Sequence, residues 1–268
     1  MGTMTNRMIV ACAVLMAGAV SFSCTVKENR VPCPCYLEVL FPERDMVSHG
    51  VDVGGWNSKF VFSESIDLSD YPEGYVRAVE RQSLIVSAFT GRDGAEPKGR
   101  RLEIPFGSQC DSLYAFYREV DCSGEKATCE VLFRKQFATV NLDIRKSVAE
   151  MEKYSVKVSS NSCGFDLLSF VPLLGPFECT ATAMKNDYAF RFRVPRQSDN
   201  SMTVILYKND NHMGEYALGK LIERTGYDWL DDDLKDIYVT IDHVSATLFL
   251  RIEGWEYVEE FPLREVTL

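Results

Sequence analysis

Residues 135–145 have the sequence KQFATVNLDIR, in which two kinds of side chain alternate. One face would carry Ala138, Val140, Leu142 and Ile144. The opposite face would carry Phe137, Thr139, Asn141, Asp143 and Arg145. A period of two residues is typical of a β-strand with one buried face. We therefore predict a half-buried strand here, and we place the start of a second domain at residue 135.

Runs of strand-forming residues lie on both sides of this stretch and are separated by clusters of turn-forming residues. Strands predicted before it cover residues 35–41, 59–62, 83–89, 101–104, 112–117 and 128–133. Strands predicted after it cover residues 154–158, 165–170, 178–183, 188–194, 202–208, 236–242, 246–253 and 256–261. Short strands separated by turns every ~8–12 residues are typical of a β-sandwich. The chain is therefore predicted to be all-β, with a minor α-helical part.

Three segments depart from the strand pattern. Residues 45–57 are rich in turn-forming residues and predict a loop. Gly94 and Gly99 are expected to allow the tight bends of hairpins. In residues 214–224 apolar side chains recur at helical spacing, which predicts a helix that ends at Gly226.

Composition and charge exclude some classes of function. With 46% hydrophobic and 12% aromatic residues, the chain of 268 residues is globular and long enough for two domains. Its formal net charge of -10 argues against a nucleic-acid-binding protein, which needs a basic surface. The same charge argues against electrostatic attachment to anionic lipid. We expect no nucleic-acid partner.

The N-terminal segment has the pattern of an export signal. Residues 8–20 form an uninterrupted apolar run, and Arg7, the one charged residue before Cys24, precedes it. A resting transmembrane helix needs ~20 such residues, so this run is too short to span a bilayer. Its length matches the apolar core of a secretory signal peptide. We predict that residues 1–23 are a signal peptide.

Cys24 lies directly after this segment, behind Ser21-Phe22-Ser23. A cysteine at such a junction is typical of a bacterial lipoprotein, in which it carries the acyl chains. We predict lipidation at Cys24, with palmitate among the acyl groups, and a lipidated spacer over residues 24–34. Lipoproteins usually have Leu where this chain has Ser21. The alternative is an ordinary secreted protein that is cut near Ser23 and keeps Cys24 as a thiol.

Seven further cysteines follow Cys24, and export would permit them to form disulfides. These candidate disulfide cysteines are Cys33, Cys35, Cys110, Cys122, Cys129, Cys163 and Cys179. An odd number leaves at least one thiol free, and the sequence does not give the pairing. Cys33 and Cys35 are too close for an easy mutual bridge, so at least one is expected to reach another strand. A bridge between Cys163 and Cys179 would close the segment between them.

No pattern for catalysis or metal binding stands out. The cysteine spacing lacks the paired Cys-x-x-Cys of zinc sites, and there is no Gly-rich phosphate loop. The acidic residues between Asp228 and Asp236 lack the ligand spacing of a calcium loop and favour a solvated turn. We predict no enzymatic activity, no cofactor and no metal. Trp56, Trp229 and Trp255 are expected in the core or at a domain interface rather than on a sugar-stacking platform.

Motifs near the two ends of the chain together resemble a known family. The N-terminal motif, shortly after Cys24, is Arg30-x-x-Cys33-Pro34-Cys35-x-Leu37. The C-terminal motifs are Leu218-Gly219-Lys220-Leu221-Ile222, Gly226-Tyr227-Asp228, Leu234-x-Asp236-Ile237-Tyr238-Val239 and Ile252-x-x-Trp255. In this order and spacing they resemble the FimB-type fimbrillin anchor-subunit lipoproteins of Bacteroidales, the anchors of major and minor fimbria.

The resemblance implies two tandem transthyretin-like β-sandwich domains, over residues 35–134 and 135–268. It also implies a cell-adhesion role, in which the chain holds the base of a fimbrium (pilus) at the outer membrane and limits its length. The partner would be a fimbrial stalk pilin, bound by β-strand complementation. Stalk subunits lose their first strand to proteolysis and so open a groove for a donor strand. An anchor is expected to keep its first strand, because that strand carries the lipid.

The C-terminal tail leaves two interpretations open. A strand that includes Tyr257, Val258 and Phe261 would contact the pilin, or it would fold back onto its own domain. The alternative function for the whole chain is a surface lipoprotein that binds glycans for uptake.

Overall fold

The structure is a computed structural model that describes residues 33–43, 50–58, 60–94, 96–145, 153–184, 188–255 and 258–267. The predicted signal peptide, the lipidation at Cys24 and the strand residue Tyr257 lie outside these ranges. The described residues form four β-sheets and a few short helices. The predicted all-β sandwich class is confirmed.

The first half of the chain contributes a three-stranded and a five-stranded sheet. Its strands are β1 Cys35–Leu40, β2 Gly50–Trp56, β3 Phe60–Asp67, β4 Tyr75–Val79, β5 Ser83–Thr90, β6 Glu96–Lys98, β7 Arg101–Glu103, β8 Tyr114–Asp121, β9 Lys126–Glu130 and β10 Arg134–Lys135. The smaller sheet has the order β4-β1-β9 and the larger one β10-β8-β5-β2-β3. Apolar side chains of both sheets, among them Leu37, Val53 and Val86, form one buried cluster, the first core.

The second half contributes two larger sheets. Its strands are β11 Phe137–Arg145, β12 Tyr154–Asp166, β13 Pro172–Thr180, β14 Thr182–Ala183, β15 Ala189–Pro195, β16 Thr203–Lys208, β17 Asn211–Tyr216, β18 Ile237–Asp242, β19 Thr247–Ile252 and β20 Glu259–Pro262. The helices of this half are α1 Leu218–Thr225 and α2 Leu263–Val266. One sheet has the order β14-β15-β11-β18-β19-β20, and the other has the order β17-β16-β12-β7-β6 with β13 paired to β12. Their apolar faces form the second core.

Strands β6 and β7 leave the first half and complete a sheet of the second. Leu102 of β7 is opposite Phe165 of β12, and both side chains are fully buried. Next to this pair, the guanidinium of Arg100 donates to the carboxylate of Asp166, with Nε 2.6 Å from Oδ2. Gly99 turns the chain between the two strands with a φ of 63°. The predicted role of Gly99 is therefore confirmed.

The same pairing pattern occurs at the first strand of each half. Strand β1 runs antiparallel to β4 on one side and parallel to β9 on the other. Strand β11 runs antiparallel to β15 on one side and parallel to β18 on the other. Both strands therefore lie in the interior of a sheet, with hydrogen-bonded neighbours at both edges.

Alternation predicted the faces of β11 correctly. Ala138, Val140, Leu142 and Ile144 are all buried. On the opposite face Asp143 and Arg145 are exposed, whereas Phe137, at the start of the strand, is also buried.

Three expectations were wrong, each for a local reason. Residues 50–56 form β2 rather than a loop, because Gly55 leaves room for the ring of Phe62 on the adjacent strand. A Cβ on Gly55 would lie only 2.2 Å from an atom of that ring. The strand predicted over residues 165–170 is instead the end of β12, which stops at Asp166. The carboxylate of Asp166 accepts from the backbone N–H of Leu168, and the chain turns there. The helix starts at Leu218, after β17, although its end at Gly226 is as predicted.

Arg196 is the largest fully buried side chain and ties a loop to the second core. Its Nε donates to Oε1 of Gln136 at 2.6 Å, and its other nitrogens donate to the carbonyls of Trp229 (2.8 Å) and Asp232 (3.1 Å). Burial lowers the pKa of Arg196, and nearby Tyr227 and the acidic residues of the loop counteract this effect. A buried cation therefore holds the backbone of the loop that carries the acidic residues between Asp228 and Asp236. The Asp232 carboxylate of this loop is exposed and pairs with Arg134.

Replacing Arg196 by Ala should lower the free energy of unfolding by about 3 kcal/mol, because the buried Gln136 and two partly buried carbonyls lose their donor. The matched control is Arg191→Ala on β15, the strand that ends just before Arg196. There the guanidinium is exposed and donates to Asn141. That change should cost no more than about 0.5 kcal/mol. Urea unfolding of the variants measures both values. Equal losses would contradict the role assigned to Arg196.

Candidate functional site

Strand β1 directly follows the predicted lipid attachment and spacer, so its contacts decide whether a tether could hold the fold. Cys35, Leu37 and Val39 point into the first core and are fully buried. Tyr36 points outward and is 55% exposed. Glu38 accepts a hydrogen bond from Lys126 of β9 at 2.9 Å, and this ammonium lowers the pKa of the Glu38 carboxyl. Alternate side chains thus attach β1 to the core and to its neighbour.

The backbone of β1 is satisfied along both edges. Its partners run from Val79 to Tyr75 on β4 and from Lys126 to Glu130 on β9. Beyond the strand, the N–H of Val131 donates to the carbonyl of Leu40 at 2.8 Å. Without β1 the two neighbours would each present an unpaired edge above apolar side chains of the first core. The place that a donor strand could take is therefore filled by the chain's own strand.

All seven candidate disulfide cysteines are free thiols in the structure. The thiols of Cys35 and Cys122, which follows β8, are neighbours in the first core. Cys129 is opposite Val39 on the parallel strand β9. Cys33 is exposed.

In the second half, the sequence had suggested a bridge between Cys163 and Cys179, and the strand register keeps these two residues apart. Cys179 is opposite Val158 in the antiparallel pair of β12 and β13. Cys163 lies five positions further along β12, where its sulfur is next to Gly175. Cys110 and Cys179 are both buried in the second core.

The C-terminal strand β20 folds back onto the second half of the chain as the edge of a six-stranded sheet. Phe261 is 3% exposed, and the guanidinium carbon of Arg224 lies 4.7 Å from the centre of its ring. Val258, just before the strand, is 48% exposed. Phe261 thus packs within the second core, whereas Val258 is accessible. Sequence reasoning named both residues but could not separate their roles.

The tryptophans are partly buried in separate places. The indole N–H of Trp56 donates to Ser87 at 3.0 Å, and Trp229 and Trp255 pack against the second core. Trp229 also lines a surface cavity of about 640 Å³. In this cavity the buried Oε1 of Gln197 accepts no hydrogen bond within the described part of the chain. The cavity is further lined by Val171, Pro172, Leu174, Asp199, Asn200, Glu223, Asp228 and Leu230.

Two kinds of site are not found within the described ranges. No group of three or more His, Cys, Asp or Glu side chains could hold a metal ion there. None of the helices in those ranges is long and apolar enough to cross a membrane.

Comparison with solved structures identifies proteins with the same fold. A proposed adhesin from Bacteroides ovatus aligns with a TM-score of 0.60 and 13% identity over 88% of this chain and 97% of its own. A proposed polysaccharide-binding protein from Bacteroides thetaiotaomicron aligns with a TM-score of 0.61 and 13% identity, over 85% of this chain and 98% of its own. The fimbrial anchor protein Mfa2 from Porphyromonas gingivalis aligns with a TM-score of 0.55 and 12% identity, over 83% of this chain and 98% of its own. No family model and no curated protein matches the chain in sequence.

These neighbours are described as a proposed adhesin, a proposed polysaccharide-binding protein and a fimbrial anchor protein. The chain therefore has the same β-sandwich fold as these proteins. At 12–13% identity the likeness concerns the fold.

Replacing Phe261 by Ala should destabilise the second half by about 3 kcal/mol, because a buried aromatic side chain leaves a cavity. Val258→Ala, the control, removes an exposed side chain next to the same strand and should cost no more than about 0.5 kcal/mol. Chemical unfolding measures the difference. If Phe261→Ala were as mild as the control, β20 would not be packed on the second core.

Proposed function

We propose that this chain is a non-enzymatic structural lipoprotein that anchors the base of a fimbrium to the outer membrane. Lipid on Cys24 would hold it in the membrane, and its contact with the first stalk subunit would limit fibre length. The observation that carries the proposal is β1, which is fully buried on one face and paired at both edges. The same fold in a protein described as a fimbrial anchor supports it.

The argument rests on how strands associate. Fibres that grow by strand complementation need an open sheet edge that accepts a strand from the next subunit. A chain whose first strand fills its own sheet has no such opening at that place. It can end a fibre but cannot extend it in that direction. This property suits an anchor and a terminator of growth.

The contact with the pilin would use an edge that remains open. Strand β20 pairs with β19 on one side and forms the edge of its sheet on the other. An edge strand offers backbone donors and acceptors to an added strand. The accessible Val258 lies beside it. We propose that this edge receives the first stalk subunit.

We also propose that the chain comprises two domains, over residues 35–134 and 135–268. Two separate clusters of buried apolar residues support this division. Strands β6 and β7 would then reach from the first domain into a sheet of the second. This connection would resist the separation of the domains when the fibre is pulled.

Replacing Cys24 by Ala in the native cell tests the anchor directly. The protein should become soluble, and the surface fibres should detach into the medium, lengthen or disappear. Electron microscopy of the cells and fractionation of the protein measure these outcomes. Cys33→Ala is the matched control, since it removes an exposed cysteine nearby and should leave tether and fibres intact. Unchanged fibres on Cys24→Ala cells would contradict the proposal.

The cavity at Trp229 favours glycan binding as a second candidate function. It combines an aromatic ring with amide and carboxylate side chains. Gln197, whose buried Oε1 has no hydrogen-bond partner among the described residues, also lines it. Aromatic faces with a few convergent polar groups are typical of ligand sites. If glycan binding is the function, the protein should bind oligosaccharides in calorimetry and Trp229→Ala should weaken binding at least tenfold. Trp255→Ala is the control, and no measurable binding would eliminate this candidate.

A further inference from the structure

Cys35 and Cys122 bring the first strand and the end of a strand from the other sheet together. Cys35 begins β1, and Cys122 directly follows β8 in the five-stranded sheet. Both residues are fully buried in the first core. The backbone N–H of Tyr36 donates to the carbonyl of Glu125 at 2.9 Å, which places the start of β1 beside the turn that follows Cys122. The backbone N–H of Cys122 donates to the carbonyl of Gln82 at 3.2 Å, which fixes its position. Two thiols so placed need little movement to bond.

The nearby cysteines fit Cys35 less well. Cys129 also faces the first core, but it is opposite Val39, four positions further along β1. At ~3.3 Å of rise per residue, this is about 13 Å along the strand. Cys33 is exposed and separated from Cys35 by one residue. The described residues also contain no cysteine group that could hold a metal. Among these cysteines, Cys122 is therefore the one best placed to bond to Cys35.

We propose that Cys35 and Cys122 form a disulfide that fastens the first strand to the opposite sheet. The oxidant is a disulfide-bearing molecule, either a small disulfide or a thiol–disulfide oxidoreductase of the exported compartment. One cysteine thiolate attacks this disulfide, forms a mixed disulfide and releases one thiol. The second cysteine then displaces the other thiol, so that one disulfide is made, one is reduced and two protons pass between the thiols. Formation in the cell rests on the export assumed in the proposed function.

The bond would act where the tether pulls. Force on lipid at Cys24 would enter the fold at Cys35 and load the hydrogen bonds of β1 in sequence. A bond from Cys35 to the end of β8 would pass that force to the five-stranded sheet. It would also close a long loop over most of the first half, which restricts the unfolded chain. The disulfide would thus keep β1 in its sheet under load.

The burial of these thiols sets when the bond can form. Burial in the first core, with the nearby Cys35 adding to the effect, raises the pKa of Cys122 to about 12. At pH 8 only about one Cys122 side chain in ten thousand would then be a thiolate. In the folded, reduced protein Cys122 should therefore react slowly with oxidants. The disulfide should therefore form while the chain is still unfolded, as during export.

The test refolds the full chain from denaturant with either reduced or oxidised glutathione. Remaining thiols are then alkylated in denaturant, and the peptides are mapped by mass spectrometry. The oxidised sample should contain a peptide that links Cys35 to Cys122. It should also unfold about 5–10 °C higher than refolded Cys122→Ser protein. In the matched control, Cys129→Ser, the linked peptide should persist.

Three results would overturn the proposal. The first is oxidised protein that folds, by circular dichroism, with both thiols free. The second is Cys122 linked to Cys129 or to another cysteine. The third is free Cys35 and Cys122 thiols in protein isolated from native membranes under alkylating conditions. Loss of fibres on Cys24→Ala does not depend on this bond, so the failure of the disulfide and the failure of the anchor can be told apart.

Discussion

The structure depends on backbone hydrogen bonding at the first strand of each half. A strand inside a sheet must satisfy its donors and acceptors on both sides, because a buried unpaired group is costly. Strands β1 and β11 meet this requirement in the same way, with an antiparallel neighbour on one side and a parallel one on the other. Their inward side chains complete the two cores. Removing either strand would open an edge and a core together.

The alternation of apolar and polar residues was enough to predict the strands that have one buried face. In β11, β15 and β19 the apolar residues at every second position are buried, because one face of each strand packs on a core. Pairing between strands that lie far apart in the sequence could not be predicted in this way. Nothing in residues 96–103 indicates that β6 and β7 complete a sheet whose strand β12 lies far along the chain. The glycines of β2 concealed a central strand for a similar reason, since their partner Phe62 belongs to the adjacent strand.

The sequence predicted which residues belong to the candidate site, but it did not predict which partners they contact. The sequence indicated that Cys33 or Cys35 would reach another strand, and in the structure the Cys35 thiol meets Cys122. Spacing could not select that partner, because it approaches from the other sheet. Arg196 was missed, since arginine is usually exposed and its three acceptors are scattered along the chain. A buried arginine that holds backbone carbonyls leaves no local signal in the sequence.

The central claim is that the chain keeps its first strand and carries its tether on the same polypeptide. Mass spectrometry of the N-terminus of the protein recovered from fimbriated membranes tests this claim most directly. The account predicts an acylated Cys24 in a chain that continues unbroken through Leu40. A chain that begins after Leu40, or an unmodified Cys24, would contradict it. In the first case the sheet would be open to a donor strand, and in the second the fibre would have no lipid anchor here.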